Sequence, residues 1–301
     1  MITKPKNDTL FRVNTTTTLL PFLLTERGGS RTTIKSLLSH RQVSVNGTIQ
    51  TRHDVSLKAG DQVSVLSGKG NIELRHPKLK LVYEDEYLIV VEKKQGLLTV
   101  ATHPGSTETT VCSILKNYVK KQNIRNGIYV VHRLDRETSG LLVFAKTADL
   151  QHYMREYWRQ LVQRRSYIAV AEGIFQTKEG KIQSWFTEDK RNAMVYSSPV
   201  DDGGDLAITN YKVLNETNEY DGLSLVELNL ETGRTNQIRV HLAGKGHPVL
   251  GDRKYGRGNE NSPIDRLCLH AKVLEFIHPG TEQVVHFESP VPRDFTRLFR
   301  E

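Results

Sequence analysis

The chain has 301 residues, of which 37% are hydrophobic and 25% charged, with a formal net charge of +8. It contains no run of 18 apolar residues and its first residues lack an apolar core, so neither a transmembrane helix nor a secretory signal is expected. Its two cysteines, Cys112 and Cys268, fit no metal or redox spacing, which favours reduced thiols in a cytoplasmic protein of about two domains.

The first part of the chain predicts a small basic unit over residues 16–68, after a polar lead-in of 15 residues. Ser30 can cap a helix from Arg31 to about residue 40, whose apolar side chains recur at helical spacing. Alternating valines then lead into an Asn46-Gly47 turn, which is typical of a β-hairpin. The helix presents three cations on or beside its polar face: Arg31, Lys35 and Arg41.

Charge is concentrated in this front part. Residues 1–70 hold ten Lys and Arg against four Asp and Glu, whereas the remaining residues are nearly neutral. This asymmetry favours a polyanionic partner, RNA or DNA, over a basic surface that is merely solvated.

Residues 69–79 are rich in Gly, Pro and charge, which predicts a linker, and residues 80–301 form the second predicted domain. Its apolar pieces at 80–83 and 87–93 predict a hairpin, and helices are expected over 108–122 and, capped by Thr147, over 148–163. Strands are expected in "SYIAVAEG" and "LSLVELNLETG", and an exposed loop over 187–206. This pattern indicates an α+β fold with a mixed, mostly antiparallel sheet, preceded by the small α/β unit.

The segment "HRLDRETSGLLVFAKT", residues 132–147, places Asp135 between Arg133 and Arg136 at the start of an apolar strand. Nearby positive charge favours the ionised form of a carboxylate, and an ionised, positioned Asp can act as a nucleophile or a base. A structural ion pair, or a cap of the turn, explains the pattern equally well.

Two further segments carry polar residues beside core strands. In "LETGRTNQIRVHLAGKGHPVLGDRKYG", Arg234, Arg239 and His241 fall in a predicted short helix capped by Thr235, where the arginines could bind phosphate or pair with an Asp. The alternative is a solvated basic helix. In "SYIAVAEG", Tyr167 interrupts an aliphatic strand, and taken alone it is more typical of a core residue than of a catalytic one.

No nucleotide-binding glycine motif, zinc spacing or serine-hydrolase elbow occurs, which favours an enzyme without a cofactor or no enzyme at all. The three segments, together with "LCLHAKVLEFIHP", resemble the RluA-type pseudouridine synthases in the right order, over about residues 80–295. The front unit resembles a small RNA-binding module first known from a ribosomal small-subunit protein. One departure is Asn236, which stands where the family usually has His in "GRTHQIR".

The resemblance implies an isomerase that converts uridine within RNA to pseudouridine without metal or cofactor. Asp135 would be the catalytic carboxylate, Arg239 its ion-pair partner, and Tyr167 a residue that stacks on the uracil. The target base would leave its helix, with Arg133 filling the vacated space. Further RNA contacts are expected from Arg31, Lys35, Arg41 and Arg234.

The expected target is large-subunit ribosomal RNA in a bacterium. A transfer-RNA enzyme, or an inactive RNA-binding factor of ribosome assembly, is the alternative. We expect a cytoplasmic monomer with no membrane partner.

Overall fold

The computed structural model describes residues 9–39, 42–65, 73–122, 126–189, 191–258 and 262–300. The chain divides into two compact units. The front unit is Met1–Leu74 with Leu115–Asn126, and the second unit is Arg75–Ile114 with Gly127–Glu301. Helix α3 (Val111–Gln122) crosses this division.

The front unit is a small α/β unit whose elements follow in the order β1 (Thr9–Arg12), β2 (Thr17–Thr18), α1 (Leu19–Glu26), α2 (Arg31–Ser39), β3 (Val43–Val45), β4 (Thr48–Gln50), β5 (Ser56–Leu57) and β6 (Gln62–Val65). One sheet has the order β1-β6-β3-β4, and β2 pairs with β5. Because β1 pairs with β6, the folded chain begins before the predicted start at residue 16, and the polar lead-in was an incorrect prediction.

Local sequence explains two features of this unit. The Oγ of Ser30 accepts a hydrogen bond from the backbone N–H of Thr33 at 3.1 Å, which is the predicted cap of α2. Asn46 and Gly47 both have positive φ, +50° and +79°, as a tight turn between β3 and β4 requires. The apolar face of α2 packs into the core of the unit through Ile34, Leu37 and Leu38.

The second unit is built on one large sheet. Its strands are β7 (Leu79–Glu84), β8 (Leu88–Lys93), β9 (Tyr129–Val130), β10 (Ser139–Ala145), β11 (Val162–Glu172), β12 (Glu179–Asp189), β13 (Met194–Ser198), β14 (Asp205–Thr217), β15 (Leu223–Leu230), β16 (Leu269–Ile277) and β17 (Val284–Glu288). The helices are α4 (Ala148–Glu156), α5 (Trp158–Leu161), α6 (Gln237–Gly244) and α7 (Arg293–Arg297).

The sheet order is β13-β12-β14-β15-β11-β16-β10-β8-β7, with β17 on β16 and β9 on β10. Every described pairing is antiparallel except that between β10 and β16. The predicted α+β class with a mostly antiparallel sheet is therefore confirmed. Strand β10 is buried along its whole length, so the chain that follows Asp135 leads directly into the core of the second unit.

Three predictions about elements need correction. Residues 187–206 are not an exposed loop, because they contain the end of β12, all of β13 and the start of β14. The helix predicted over 148–163 ends at Glu156, is followed by the short α5, and gives way to β11 at Val162. The predicted linker includes Leu79, which already belongs to β7.

No helix among the described residues is long and apolar enough to cross a membrane. Cys112 and Cys268 form no disulfide among the described residues, and burial raises the pKa of Cys268 to about 12.

Candidate active site

In the loop before β10, hydrogen bonds fix the backbone on both sides of Asp135. The Oγ1 of Thr99 donates to the carbonyl of Leu134 at 2.7 Å and accepts from its N–H at 3.1 Å. The carbonyl of Arg136 accepts from Nζ of Lys93 at 2.9 Å and from the N–H of Gly96 at 2.8 Å. These contacts fix the backbone while leaving the carboxylate of Asp135 31% exposed.

Lys93 is the largest fully buried side chain of this region. Burial lowers its pKa to about 7, although Glu137 and Asp135 act in the opposite direction. Its ammonium also donates to the carbonyl of Lys94 at 3.2 Å, so its role in the loop is to satisfy carbonyl groups that point inward.

Arg239, on α6, lies between two carboxylates. Its Nε and Nη2 each donate to Asp252 at 2.7 Å, and its Nη1 lies 3.4 Å from Oδ2 of Asp135. The same Nη1 donates to Oδ1 of Asn236 at 2.9 Å. Bidentate pairing of this kind fixes the plane of the guanidinium, so Asp252 aims Arg239 at Asp135.

Asp252 is a completely buried carboxylate. Burial alone would raise its pKa, but hydrogen bonds and charge from Arg239, with the N–H groups of Lys254 and Tyr255, hold the pKa below its ordinary value. The guanidinium of Arg239 is in turn 13% exposed and lies 5.2 Å from the ring centroid of Tyr255. The pair of Arg239 and Asp252 is therefore held in one position within the second unit.

Tyr167 lies in the middle of β11, paired with Leu228 on one side and Ala271 on the other. It is 8% exposed, and burial raises the pKa of its phenol, which favours the protonated form. With Asp135 and Arg239, Tyr167 lines one cavity of about 490 Å³, a size typical of small-ligand sites.

The comparisons with known proteins identify the family of the chain. The sequence model described as RNA pseudouridylate synthase matches residues 87–244, a segment that contains Asp135, Tyr167 and Arg239. The chain belongs to this family. It is a pseudouridine synthase of the RluA type.

Relatives cover nearly the whole chain. "Uncharacterized RNA pseudouridine synthase YhcT" of Bacillus subtilis is 35% identical over 94% of this chain and 92% of that protein. "Ribosomal large subunit pseudouridine synthase D" of Nitrosomonas europaea is 32% identical over 90% and 80%, respectively. The structure of Human RNA Pseudouridylate Synthase Domain Containing 4 shares the fold, with a TM-score of 0.57 and 24% identity, over 72% of this chain and 90% of that one.

The two arginines that flank Asp135 in the sequence of this pseudouridine synthase were expected to lie beside its carboxylate. Among the described residues, neither of them pairs with it. The guanidinium of Arg136 is paired with Glu108, with Nη2 at 2.9 Å from Oε2. Arg133 is exposed and borders the cavity. The positive charge next to Asp135 therefore comes from Arg239, which is distant in sequence.

The segment around α6 also differs from expectation. The helix begins at Gln237, after Asn236 with φ of +55°, and its N-terminus has no side-chain cap, so the predicted cap at Thr235 was wrong. His241 faces the core, where it forms hydrogen bonds with Ser184 at 3.0 Å and Thr209 at 2.8 Å. Arg234 precedes the helix and lines the cavity, 3.0 Å from Asp205.

The predicted RNA-binding residues lie in both units. Arg31 and Lys35 are exposed on α2 of the front unit, while Arg41 lies outside the described residues. Sequence reasoning missed Lys93 and Thr99, and treated Asp252 only as part of a turn. It could have singled out Asp252, because an Asp next to the apolar "PVL" segment needs a partner of opposite charge. Within the described ranges, no group of three or more His, Cys, Asp or Glu side chains is arranged to hold a metal ion.

Proposed function

We propose that this pseudouridine synthase modifies uridines of large-subunit ribosomal RNA, with Asp135 as its catalytic carboxylate. One observation carries the proposal. Asp135 is held by its backbone in a cavity that also contains Tyr167, and its carboxylate lies 3.4 Å from a guanidinium that Asp252 keeps in place.

The reaction breaks the bond between ribose C1′ and N1 of the uracil, rotates the base, and joins C1′ to C5. The C5 proton is lost and N1 gains one, so no other reactant is consumed. Asp135 acts in this sequence as a nucleophile or as a base, and both roles need an ionised carboxylate. Arg239 lies 3.4 Å from that carboxylate, and Tyr167 provides a buried ring against which the uracil can stack.

The proposed target follows from the relatives that are named ribosomal large subunit pseudouridine synthases. A uridine within a folded RNA must leave its stack to reach Asp135. Arg133 is exposed at the edge of the cavity, where it could fill the space left by the base. We propose that Arg234 also contacts the RNA.

The front unit is proposed to add RNA affinity. Arg31 and Lys35 are exposed and four residues apart on α2, a spacing that places them on one face of a helix. With Arg41, they are three of the ten Lys and Arg that the sequence has in residues 1–70. The enzyme is proposed to act as a monomer.

The test is pseudouridine mapping in total RNA by carbodiimide labelling, in cells that lack the gene and carry either wild type or Asp135→Asn. We expect discrete large-subunit sites to depend on wild type, and purified Asp135→Asn to lose about 10²–10⁴-fold or more in single-turnover rate while it still binds RNA. Asp265→Asn, a change at an exposed ion pair with Arg253, is the control and should be fully active.

Each other result has a definite meaning. Sites lost only from transfer RNA would keep the chemistry and replace the target. A fully active Asp135→Asn would refute the assignment of the carboxylate. No site that depends on the wild-type gene would favour an RNA-binding assembly factor.

A further inference from the structure

Helices α4 and α5 place two arginines at the border of the cavity that contains Asp135. Arg155 is in the last turn of α4 and Arg159 is in α5, four residues later. The hydrogen bond from the N–H of Leu161 to the carbonyl of Tyr157 continues the helical path across the junction. Residues four apart on such a path are neighbours on one face. Arg155 and Arg159 are both exposed.

The cavity has an unusual balance of charge. Its lining contains two carboxylates, Asp135 and Glu231, and six arginines: Arg133, Arg155, Arg159, Arg165, Arg234 and Arg239. Such an excess of positive charge around a single acidic catalytic group favours an anionic ligand.

The deep arginines and the border arginines differ in their partners. Arg239 is paired with Asp252, and Arg165 donates to the carbonyl of Thr232 at 2.9 Å. In the part of the chain that the structure describes, the side chain of Arg155 has neither a hydrogen bond nor an ion pair. Arg159 has only an electrostatic influence on Glu231, whose main partners are Asn210 and Lys181. The two border guanidiniums thus have unused donors.

The ring of Trp158 also lines the cavity, next to the two arginines. Trp158, between the two arginines in sequence, packs against His132 with 5.1 Å between ring centroids and a tilt of 32°, and the guanidinium of Arg165 lies 6.0 Å from the Trp158 ring centroid. These side chains line the same cavity, in which Arg155 and Arg159 remain exposed. A guanidinium in that position matches the geometry of phosphate oxygens.

We propose that Arg155 and Arg159 bind the phosphodiester backbone next to the target uridine. The α4–α5 segment then holds the RNA strand while the base enters the cavity. This inference rests on the proposed function, since it assumes that the cavity receives a nucleotide of an RNA chain. Contacts of this kind are made equally in the ground state and the transition state, so they affect KM and not the saturating rate.

The experiment compares R155A/R159A with R293A/R297A. The control pair is matched, because Arg293 and Arg297 are also exposed, also four apart on a helix, α7, and outside the cavity lining. The probe is an unmodified transcript of bacterial large-subunit ribosomal RNA. Affinity is measured across a range of KCl concentrations, and pseudouridine formation under single-turnover conditions.

We expect R155A/R159A to reduce the log–log salt slope by about 1.4–1.8, as the loss of two phosphate contacts requires. The affinity gap to wild type should then widen about sixfold between about 150 and 50 mM KCl. KM should rise while the saturating rate stays that of wild type, and R155K/R159K should restore the slope. The control pair should keep the wild-type slope and KM.

Three results would overturn the inference: a wild-type slope in R155A/R159A, an equal loss in R293A/R297A, or a lower saturating rate with unchanged KM. The salt slope is measured by binding alone, so it tests the inference even if no product forms. Failure of the proposed function would instead show as a wild-type enzyme that forms no pseudouridine, or as a fully active Asp135→Asn.

Discussion

Arg239 connects an exposed carboxylate, Asp135, to a buried one, Asp252. The resemblance of the sequence predicted the first of these contacts, and the two groups lie 3.4 Å apart as expected. The contact between Arg239 and Asp252 was not predicted, because a Gly-Asp pair is typical of turns and the sequence does not show which side chain packs against it. Only the fold, which brings residue 252 against α6, shows that the carboxylate orients the guanidinium.

The contacts of Asn236, like that of Asp252, could not be read from the sequence. The sequence showed a departure from the usual His, but not its consequence. In the structure Asn236 adopts φ of +55°, a left-handed conformation that Asn tolerates better than most residues. Its Oδ1 accepts from Arg239 and its Nδ2 donates to the hydroxyl of Tyr255 at 3.2 Å. Asn236 therefore makes a polar contact to the arginine.

We predict that Asp252→Asn impairs both stability and catalysis. Removing one partner of a buried pair leaves the other charge uncompensated, which costs about 3–5 kcal/mol in the free energy of unfolding. Arg239 would also lose its orientation toward Asp135, so the single-turnover rate should fall. Urea unfolding and single-turnover assays measure the two effects.

Asp265→Asn is the matched control for this prediction. Asp265 is 88% exposed and its pair with Arg253 is at the surface, so its loss should change the free energy of unfolding by at most about 1 kcal/mol. Equal effects of the two substitutions would contradict the role given to Asp252.

Secondary-structure elements were predicted best where a turn or cap has its own chemistry. The cap of α4 was confirmed, since Oγ1 of Thr147 accepts from the N–H of Leu150 at 3.2 Å. The hairpin of β7 and β8 was also confirmed. Strands β12 and β13 were missed because they lie at the outer end of the sheet and alternate between polar and half-buried residues. Backbone pairing holds them in the sheet, and Phe186 and Val195 pack in a small cluster with Ala207 and Val240.

The end of α4 was missed for a different reason. Its apolar positions continue at helical spacing through Tyr157 and Leu161, so the sequence gives no sign of the break between α4 and α5. Arg155 lies before this break, in α4, and Arg159 lies after it, in α5.

At the scale of the strands, we predict that Gly140→Ala disrupts the junction of β10 and β16. Gly140 has φ of +116°, and a Cβ there would lie 2.2 Å from the carbonyl oxygen of Ala271. The clash is with the backbone of β16, which pairs with β10 in parallel, so the strands must separate. We expect a loss of about 2–5 kcal/mol in the free energy of unfolding and of most activity.

Gly246→Ala is the control for this backbone effect. Gly246 also has a positive φ, +80°, but nothing lies within 4 Å of a Cβ built there. Its substitution should cost only the conformational strain, about 1–2 kcal/mol. If Gly140→Ala were no worse than Gly246→Ala in thermal or urea unfolding, close packing at the junction would not be its main constraint.

For the whole molecule, the sequence predicted two units, a basic front region and a mostly antiparallel second domain. The sheet class was confirmed, while the RNA-binding role of the front region stays a prediction. What the sequence could not show is how many polar groups the second unit buries. His132, His241 and His270 are neutral in the folded state because burial lowers their pKa values, to about 3, 4 and 4.

We predict that these three histidines make the second unit sensitive to mild acid. Their folded pKa values lie below the ordinary value of about 6.5, so the unfolded chain binds more protons between about pH 4 and 6.5. The stability that these three neutral histidines contribute is therefore complete above pH 6.5 and is lost as the pH is lowered. Each group should remove about 1 kcal/mol between pH 6.5 and 5.5. Glu172, whose pKa is raised by burial, acts in the opposite direction but is one group.

Urea unfolding at pH 7.5, 6.5 and 5.5 measures the effect, and His241→Gln isolates the share of one group. Gln can still form hydrogen bonds with Ser184 and Thr209, but it does not titrate, so the variant should lose less stability than wild type between pH 6.5 and 5.5. A free energy of unfolding that is flat across this range would mean that the buried imidazoles are protonated in the folded enzyme.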